Sequence, residues 1–224
     1  FLKRVLELTY AQKKRLDPEA LLSNQLIKAS EESLLQKSYS FDTSGFCLLR
    51  SDTRTVVLKF GGEGIGHGHP DKLSITIHDG KNELVSDFGT SGYGVPDYLK
   101  WYKRTLSHNT VTVDAKDQKR SVGKLLKFNP RSDGGYAEAE TTTAYPGVRM
   151  KRSLDLKGTH LQDVYTCTSD SSHLYEYVIL FNEKPLMDGQ PTATTLTGSE
   201  VHERIHNIFS YPHKSGFTCR TSSA

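Results

Sequence analysis

Four polar side chains in one stretch of this chain have types and spacing that could do chemistry together. The stretch from Gly61 to Thr110 reads GGEGIGHGHPDKLSITIHDGKNELVSDFGTSGYGVPDYLKWYKRTLSHNT, and it carries His67, His69, Asp87 and His108 among strand-like runs and glycine-rich turns. Histidine nitrogens and an aspartate oxygen make a mixed donor set that suits zinc with an open fourth position, or manganese or another divalent ion. His67 and His69 are two residues apart, so in an extended segment both imidazoles point to one face. Gly66 and Gly68 beside them let the backbone approach a ligand or a partner strand closely.

The elements that must bring these side chains together read as strands. Asp79-Gly80 lies between Ile75, Ile77 and Leu84, Val85, which is a hairpin signal because aspartate and glycine both tolerate positive φ. A two-residue turn there sets Asp87 opposite Lys72, with His69 three residues farther along. At about 3.3 Å per residue the offset is roughly 10 Å, so the chain must bend, and Pro70 is the place for it. His108 opens a further strand on the face of Thr110 and Thr112, opposite Val111 and Val113.

The same alternation and turn grammar runs through most of the chain. Strand-like runs cover Phe46 to Leu49, Thr55 to Phe60, Leu73 to Ile77, Glu83 to Phe88, Asn109 to Val113, Leu125 to Phe128 and Tyr136 to Thr142. Others follow at Val148 to Leu156, Gln162 to Thr168, Tyr175 to Phe181 and Ile208 to Tyr211. Many short strands with no helix between them predict a mainly β fold, a large antiparallel β-sandwich over residues 45–224. Ahead of it, residues 1–44 read as a short helical segment. Leu2, Val5, Leu6 and Leu8 to Tyr10 have helical spacing, and Asp17-Pro18-Glu19 gives an N-cap, a proline at the first helical position and an acidic first turn.

Composition excludes several classes. The chain has 224 residues, 25% of them charged, and a formal charge of +3, with the basic residues scattered and no stripe of the kind that binds nucleic acid. No apolar run approaches the roughly 18 residues of a membrane span. Cys47, Cys167 and Cys219 lie far apart without a CxxC pair and do not fix the redox compartment.

Taken together, GHGHPDKLS, the SDFGTSGYG turn and WYKRTLSHNTVTVD resemble the C-terminal β-sandwich region of the heparinase II/III-like polysaccharide lyases. The three motifs come in the family's order within about 50 residues, and weaker agreement extends from Gly45 to Asn182. The resemblance implies a metal, commonly zinc, on His69, Asp87 and His108. It implies that His67 lies in the substrate cleft with a tyrosine of the following turn, Tyr93 first, with Tyr98 and Tyr102 as alternatives. The implied activity is cleavage of an acidic uronate-containing polysaccharide by β-elimination, in the periplasm or outside the cell. It also implies a preceding helical toroid that supplies an acid tyrosine and an Asn-His pair. Residues 1–44 hold no candidate for that set, so they read as the end of a toroid otherwise missing from this chain. A homodimer is compatible with this reading. A uronate C5-epimerase and a non-catalytic carbohydrate-binding or scaffold sandwich are the alternatives.

Other features have plainer readings beside the functional ones. Trp101 and Tyr102 adjoin the site and could stack on a sugar, and Arg104 with Lys103 could attract an acidic polymer, although a solvated strand end also accounts for the two cations. The Tyr175, Tyr177, Phe181 stripe has strand spacing and reads as sheet packing. His202-Glu203-Arg204-Ile205-His206 matches HExxH, yet a zinc protease needs a helix and a downstream third ligand, and His213 follows Tyr211-Pro212 in a turn. The glycines of 61–68 lack the spacing of a nucleotide loop.

Overall fold

The computed structural model describes residues 37–62, 67–80, 82–187, 190, 192–193, 209–210 and 219–220. The chain divides into two units, Phe1–Gln36 and Lys37–Ala224, and all the described strands belong to the second. The two expected N-terminal helices and the HExxH segment lie outside the described residues.

The first strands form a meander. They are β1 (Tyr39–Phe41), β2 (Phe46–Arg50), β3 (Arg54–Lys59), β4 (Ser74–Asp79) and β5 (Asn82–Val85). After β6 (Val111–Val113) come three long strands, β8 (Gly134–Tyr145), β9 (Val148–Lys157) and β10 (His160–Ser169), with β7 (Lys124–Arg131) before them. Short strands close the described chain: β11 (Tyr175–Tyr177), β12 (Leu186–Met187), β13 (Thr192–Ala193), β14 (Phe209–Ser210) and β15 (Cys219–Arg220). Nine strands make one antiparallel sheet in the order β10-β9-β8-β2-β3-β4-β5, with β1 beside β2 and β7 beside β8, while β6 pairs with β11 separately.

Alternation dictates which side of each strand is inside. Along β9, Val148, Met150, Arg152, Leu154 and Leu156 are all buried, and Arg149, Lys151, Ser153 and Asp155 point the other way. Facing positions of β2, β3 and β8 supply Cys47, Leu49, Val56, Leu58, Ala137 and Ala139, and β6 adds Val111 and Val113 to the same core. Each fully buried leucine in this layer contributes about 2 kcal/mol of transfer free energy. The sheet curls into a sandwich. Arg152 of β9 donates to the carbonyls of Leu73, just before β4, and Asn109, just before β6, although β9 and β4 stand four places apart in the sheet order.

Two expectations about boundaries and register are corrected. The sandwich begins before residue 45, because β1 lies within 1–44 and pairs with β2. Ser38 ties that start down, donating to the carbonyl of Gly134 and accepting from the Arg50 N–H. The β4–β5 hairpin exists, but Asp79 pairs with Asn82 and a bulge then shifts the register so that Ile77 pairs with Val85. Asp87 is thus not opposite Lys72. Beyond Val85 the chain leaves β4: Val85 bridges Phe181 and the Ser86 N–H bonds the carbonyl of Leu180.

Candidate functional site

The first wall of the site is the entry into β4. A bend does sit at Pro70: the Asp71 N–H bonds the carbonyl of His69 at 3.0 Å across it. The bend is held from several sides. Thr105 Oγ1 donates to the Pro70 carbonyl, and Gln118 bonds both the N–H and the carbonyl of Lys72. Lys72 is fully buried and reaches the Asp71 carboxylate and the His69 carbonyl, while Lys59 pairs with the other Asp71 oxygen. Leu73 takes a left-handed conformation at φ 62°, at a cost of about 1–2 kcal/mol for a residue with a Cβ. Burial of its side chain offsets that cost.

The second wall runs from Asp87 to Thr110. Asp87 Oδ1 accepts the Gly89 N–H at 2.8 Å, an aspartate turn that starts the loop. A π-helical turn, Tyr98–Tyr102, and a 3-10 turn, Thr105–Ser107, then return the chain to the sheet. His108 caps the 3-10 turn in extended conformation and precedes β6 rather than opening it. The SHNT tetrapeptide divides its duties. Ser107 Oγ lies against the carbonyls of Arg104 and Tyr102. Asn109 Nδ2 donates to the carbonyls of Ile75 and Ser86, and its Oδ1 accepts the Leu180 N–H. Thr110 Oγ1 bonds the Lys72 carbonyl. His108 is left to face the junction of the two walls, where it is buried.

At the junction of the walls His108 makes two contacts. Its Nδ1 is 2.7 Å from Asp87 Oδ2, and its Nε2 is 3.3 Å from His69 Nδ1. Two nitrogens bound to one tetrahedral zinc also lie about 3.3 Å apart, given ligand distances of about 2.0–2.1 Å. Burial, and then the neighbouring His108, lower the pKa of His69 and favour its neutral form. Burial would raise the pKa of Asp87, but the hydrogen bond and charge of His108, the Gly89 N–H and the Lys59 charge together outweigh this and hold the carboxyl below its ordinary range. A neutral His69 and an ionised Asp87 are in the protonation states a divalent metal requires of such ligands, so the donor chemistry fits. The geometry is a chain and not a ring: Asp87 stands behind His108, and no three donors among the described residues converge on one point.

The remaining predicted residues separate into contacts at the surface and contacts in the wall. His67 Nδ1 meets the Tyr93 hydroxyl, and both residues are exposed. Tyr93 packs edge-on against Tyr98, which is buried and packs edge-on against His69, so one ring links the exposed pair to the histidine beneath. Tyr98 is therefore a spacer. Trp101 lies against the exposed Phe88 with ring centroids 5.8 Å apart. Tyr102 is half-buried, and the Arg104 Nε is committed to Asp117 at 2.6 Å, which also accepts the Thr105 N–H. Sequence reasoning missed Gln118, Thr105 and Arg152. For Arg152 a signal existed, a lone cation at an inward position of the VRMKRSLDL alternation.

A curled antiparallel sandwich, with two histidines and an aspartate in contact where its loops enter the sheet, is the class that fold and site define. The chain belongs to the heparinase II/III-like, C-terminal family, whose profile matches residues 34–202. It is 28% identical over 214 residues to an alginate lyase of Stenotrophomonas maltophilia, a match covering 80% of this chain and 29% of that one. A heparin-sulfate lyase of Bacteroides stercoris is 31% identical over 128 residues, covering 52% of this chain and 19% of its own length. Among solved structures, a heparan sulfate lyase from Pedobacter heparinus superposes with a TM-score of 0.61 at 17% identity, over 76% of this chain and 28% of that chain. The chain thus spans less than a third of the length of these relatives.

Proposed function

We propose that this chain is the metal-bearing β-sandwich portion of a polysaccharide lyase that cleaves an acidic, uronate-containing polysaccharide by β-elimination. The observation that carries the reading is the exposed His67–Tyr93 contact, linked through the Tyr98 ring to the His69–His108–Asp87 chain. The similarity to alginate and heparin-sulfate lyases supports the substrate class, because both polymers contain uronates.

The chemistry accounts for the residue types. In β-elimination the C5–H bond breaks, its electron pair forms the C4=C5 double bond, and the C4–O4 bond breaks with O4 leaving as an alcohol once protonated. A phenol and an imidazole in contact can accept the C5 proton at one atom and hold or pass it at the other. In the family pattern the group that protonates O4 comes from the preceding toroid. Trp101, beside Phe88, gives an aromatic surface on which a sugar ring can stack, and Tyr102 and Arg104 are further candidates for substrate contact. His69 and His108 would hold the divalent ion, most simply zinc, with Asp87 behind His108 orienting its ring, and the ion would supply fixed positive charge to the site. His108 is 1% exposed, which favours a holding role for that ion over direct contact with the polymer. A polymeric substrate is consistent with a periplasmic or secreted protein.

The test is ultraviolet absorbance of the unsaturated product, using full-length protein on a panel of uronate polymers. Replacement of His67 by Ala, or Tyr93 by Phe, is expected to lower turnover by about 100-fold or more. No absorbance on any polymer would overturn the lyase reading. Exchange of C5 hydrogen with deuterated solvent without cleavage would establish the epimerase instead.

A further inference from the structure

Arg152 is fully buried, and its guanidinium uses every donor it has. Nε and Nη2 grip the two oxygens of Asp163 at 2.9 and 2.5 Å, and Nη2 also donates to the Tyr177 hydroxyl at 2.7 Å. Nη1 donates to the carbonyl of Leu73 at 2.7 Å and to that of Asn109 at 2.6 Å. The rings of Tyr165 and Tyr177 each lie 5.4 Å from the guanidinium carbon, and the Tyr177 hydroxyl donates to Asp163. The Tyr165 hydroxyl continues the network to Thr110 Oγ1, which bonds the Lys72 carbonyl.

The two backbone carbonyls on Nη1 belong to the two segments that carry the histidines. Leu73 lies four residues after His69, at the left-handed position where the bend enters β4, and Asn109 follows His108 directly. A single nitrogen therefore ties the two walls at their inner ends. Neither Asp163 nor Tyr177 touches the histidines, yet both hold the guanidinium in the plane that this double donation needs.

We propose that Arg152 is a positioning residue for the histidine pair: by clamping the Leu73 and Asn109 carbonyls it sets the spacing of His69 and His108, and with it the site's affinity for a divalent ion. The proposal rests on the reading of that pair as an ion-binding site. Lysine is expected to fail in its place, because a single ammonium cannot grip Asp163 in two places and still span both carbonyls.

The test uses the full-length protein and zinc in competition with a chromophoric chelator, alongside thermal melting. Arg152→Lys is expected to bind zinc at least tenfold more weakly while keeping a cooperative melt. Leu154→Ala, on the same buried face of β9, is expected to lower the melting temperature while leaving zinc affinity within about twofold. Tyr177→Phe, which removes the hydroxyl's bonds to Arg152 and Asp163 and keeps the charge pair, is expected to give an intermediate loss and serves if Arg152→Lys does not fold. Affinity losses that follow melting temperature alike in all three variants would overturn the clamp. If wild-type protein binds no zinc, the ion-site reading fails. The clamp is then judged by nitrogen NMR of the His69 and His108 rings, where unchanged signals in Arg152→Lys and Tyr177→Phe overturn it.

Discussion

At the residue scale, His108 is the point where two demands meet, since one ring nitrogen faces a carboxylate and the other a second imidazole. That arrangement separates the roles of three residues the sequence could only group. Removing His69 or His108 deletes a donor nitrogen, whereas Asp87→Asn leaves both nitrogens and removes only the charge that orients His108. Carboxylate partners behind a metal-bound histidine typically account for about 10- to 100-fold in affinity. We therefore expect Asp87→Asn to weaken zinc binding by about tenfold, and His69→Ala and His108→Ala to abolish it, in chelator competition. Equal losses in all three would make Asp87 a ligand on the same footing as the histidines. The Tyr93 hydroxyl, and not that of Tyr98, meets His67, a choice that spacing within SDFGTSGYGVPDY could not make because the intervening glycines and Pro96 leave the loop's path open.

At the scale of elements, strands were legible and their register was not. Alternation in VRMKRSLDL and in FCLLR gave β9 and β2 to within a residue, because both strands bury one face continuously. The β4–β5 register escaped because it depends on which pair of residues makes the turn and on a bulge near Leu84, and neither alters the alternation much. The role of Gly61 was also hidden. A Cβ on Gly45 would come within 1.9 Å of the Gly61 Cα, and Gly45 has φ 72°, so these two glycines let the backbone at the end of β3 touch the backbone at the start of β2. Gly45→Ala is expected to destabilise the fold by more than about 2 kcal/mol in denaturant titration, from left-handed strain and the clash together. Charges on the outer face make a pH-dependent contribution. Glu140 of β8 pairs with Lys124 of β7 and Arg149 of β9, and those bonds hold its carboxyl below the usual glutamate range. Because the folded pKa is the lower one, the stabilisation is complete above the ordinary glutamate value of about 4.3 and is lost as pH falls through the folded value. The gap in melting temperature between wild type and Glu140→Gln should accordingly be present at neutral pH and narrow as the pH falls into the acid range; a gap that does not narrow in acid would refute this.

At the scale of the molecule, the proposed function divides the work between this sandwich and a further part of the protein. The ion-binding candidates are in the wall, the exposed His67–Tyr93 pair is at its rim, and the acid for O4 has no counterpart in the family pattern of this sandwich. Ion binding should then be separable from chemistry. For a folded protein that binds zinc, adding the ion at about 100 times its dissociation constant contributes about 2.7 kcal/mol. Both the isolated chain and the full-length protein are expected to melt higher with zinc and lower with a chelator. Turnover should differ: residues Phe1–Ala224 alone should release no unsaturated product from any uronate polymer, while the full-length protein does so. His67→Ala in the full-length protein should lose turnover with its zinc-dependent melting shift intact, because the change leaves His69, His108 and Asp87 in place. Unsaturated product formed by the isolated chain would place the whole catalytic set within the sandwich and assign the O4 proton to the Tyr93–His67 pair itself.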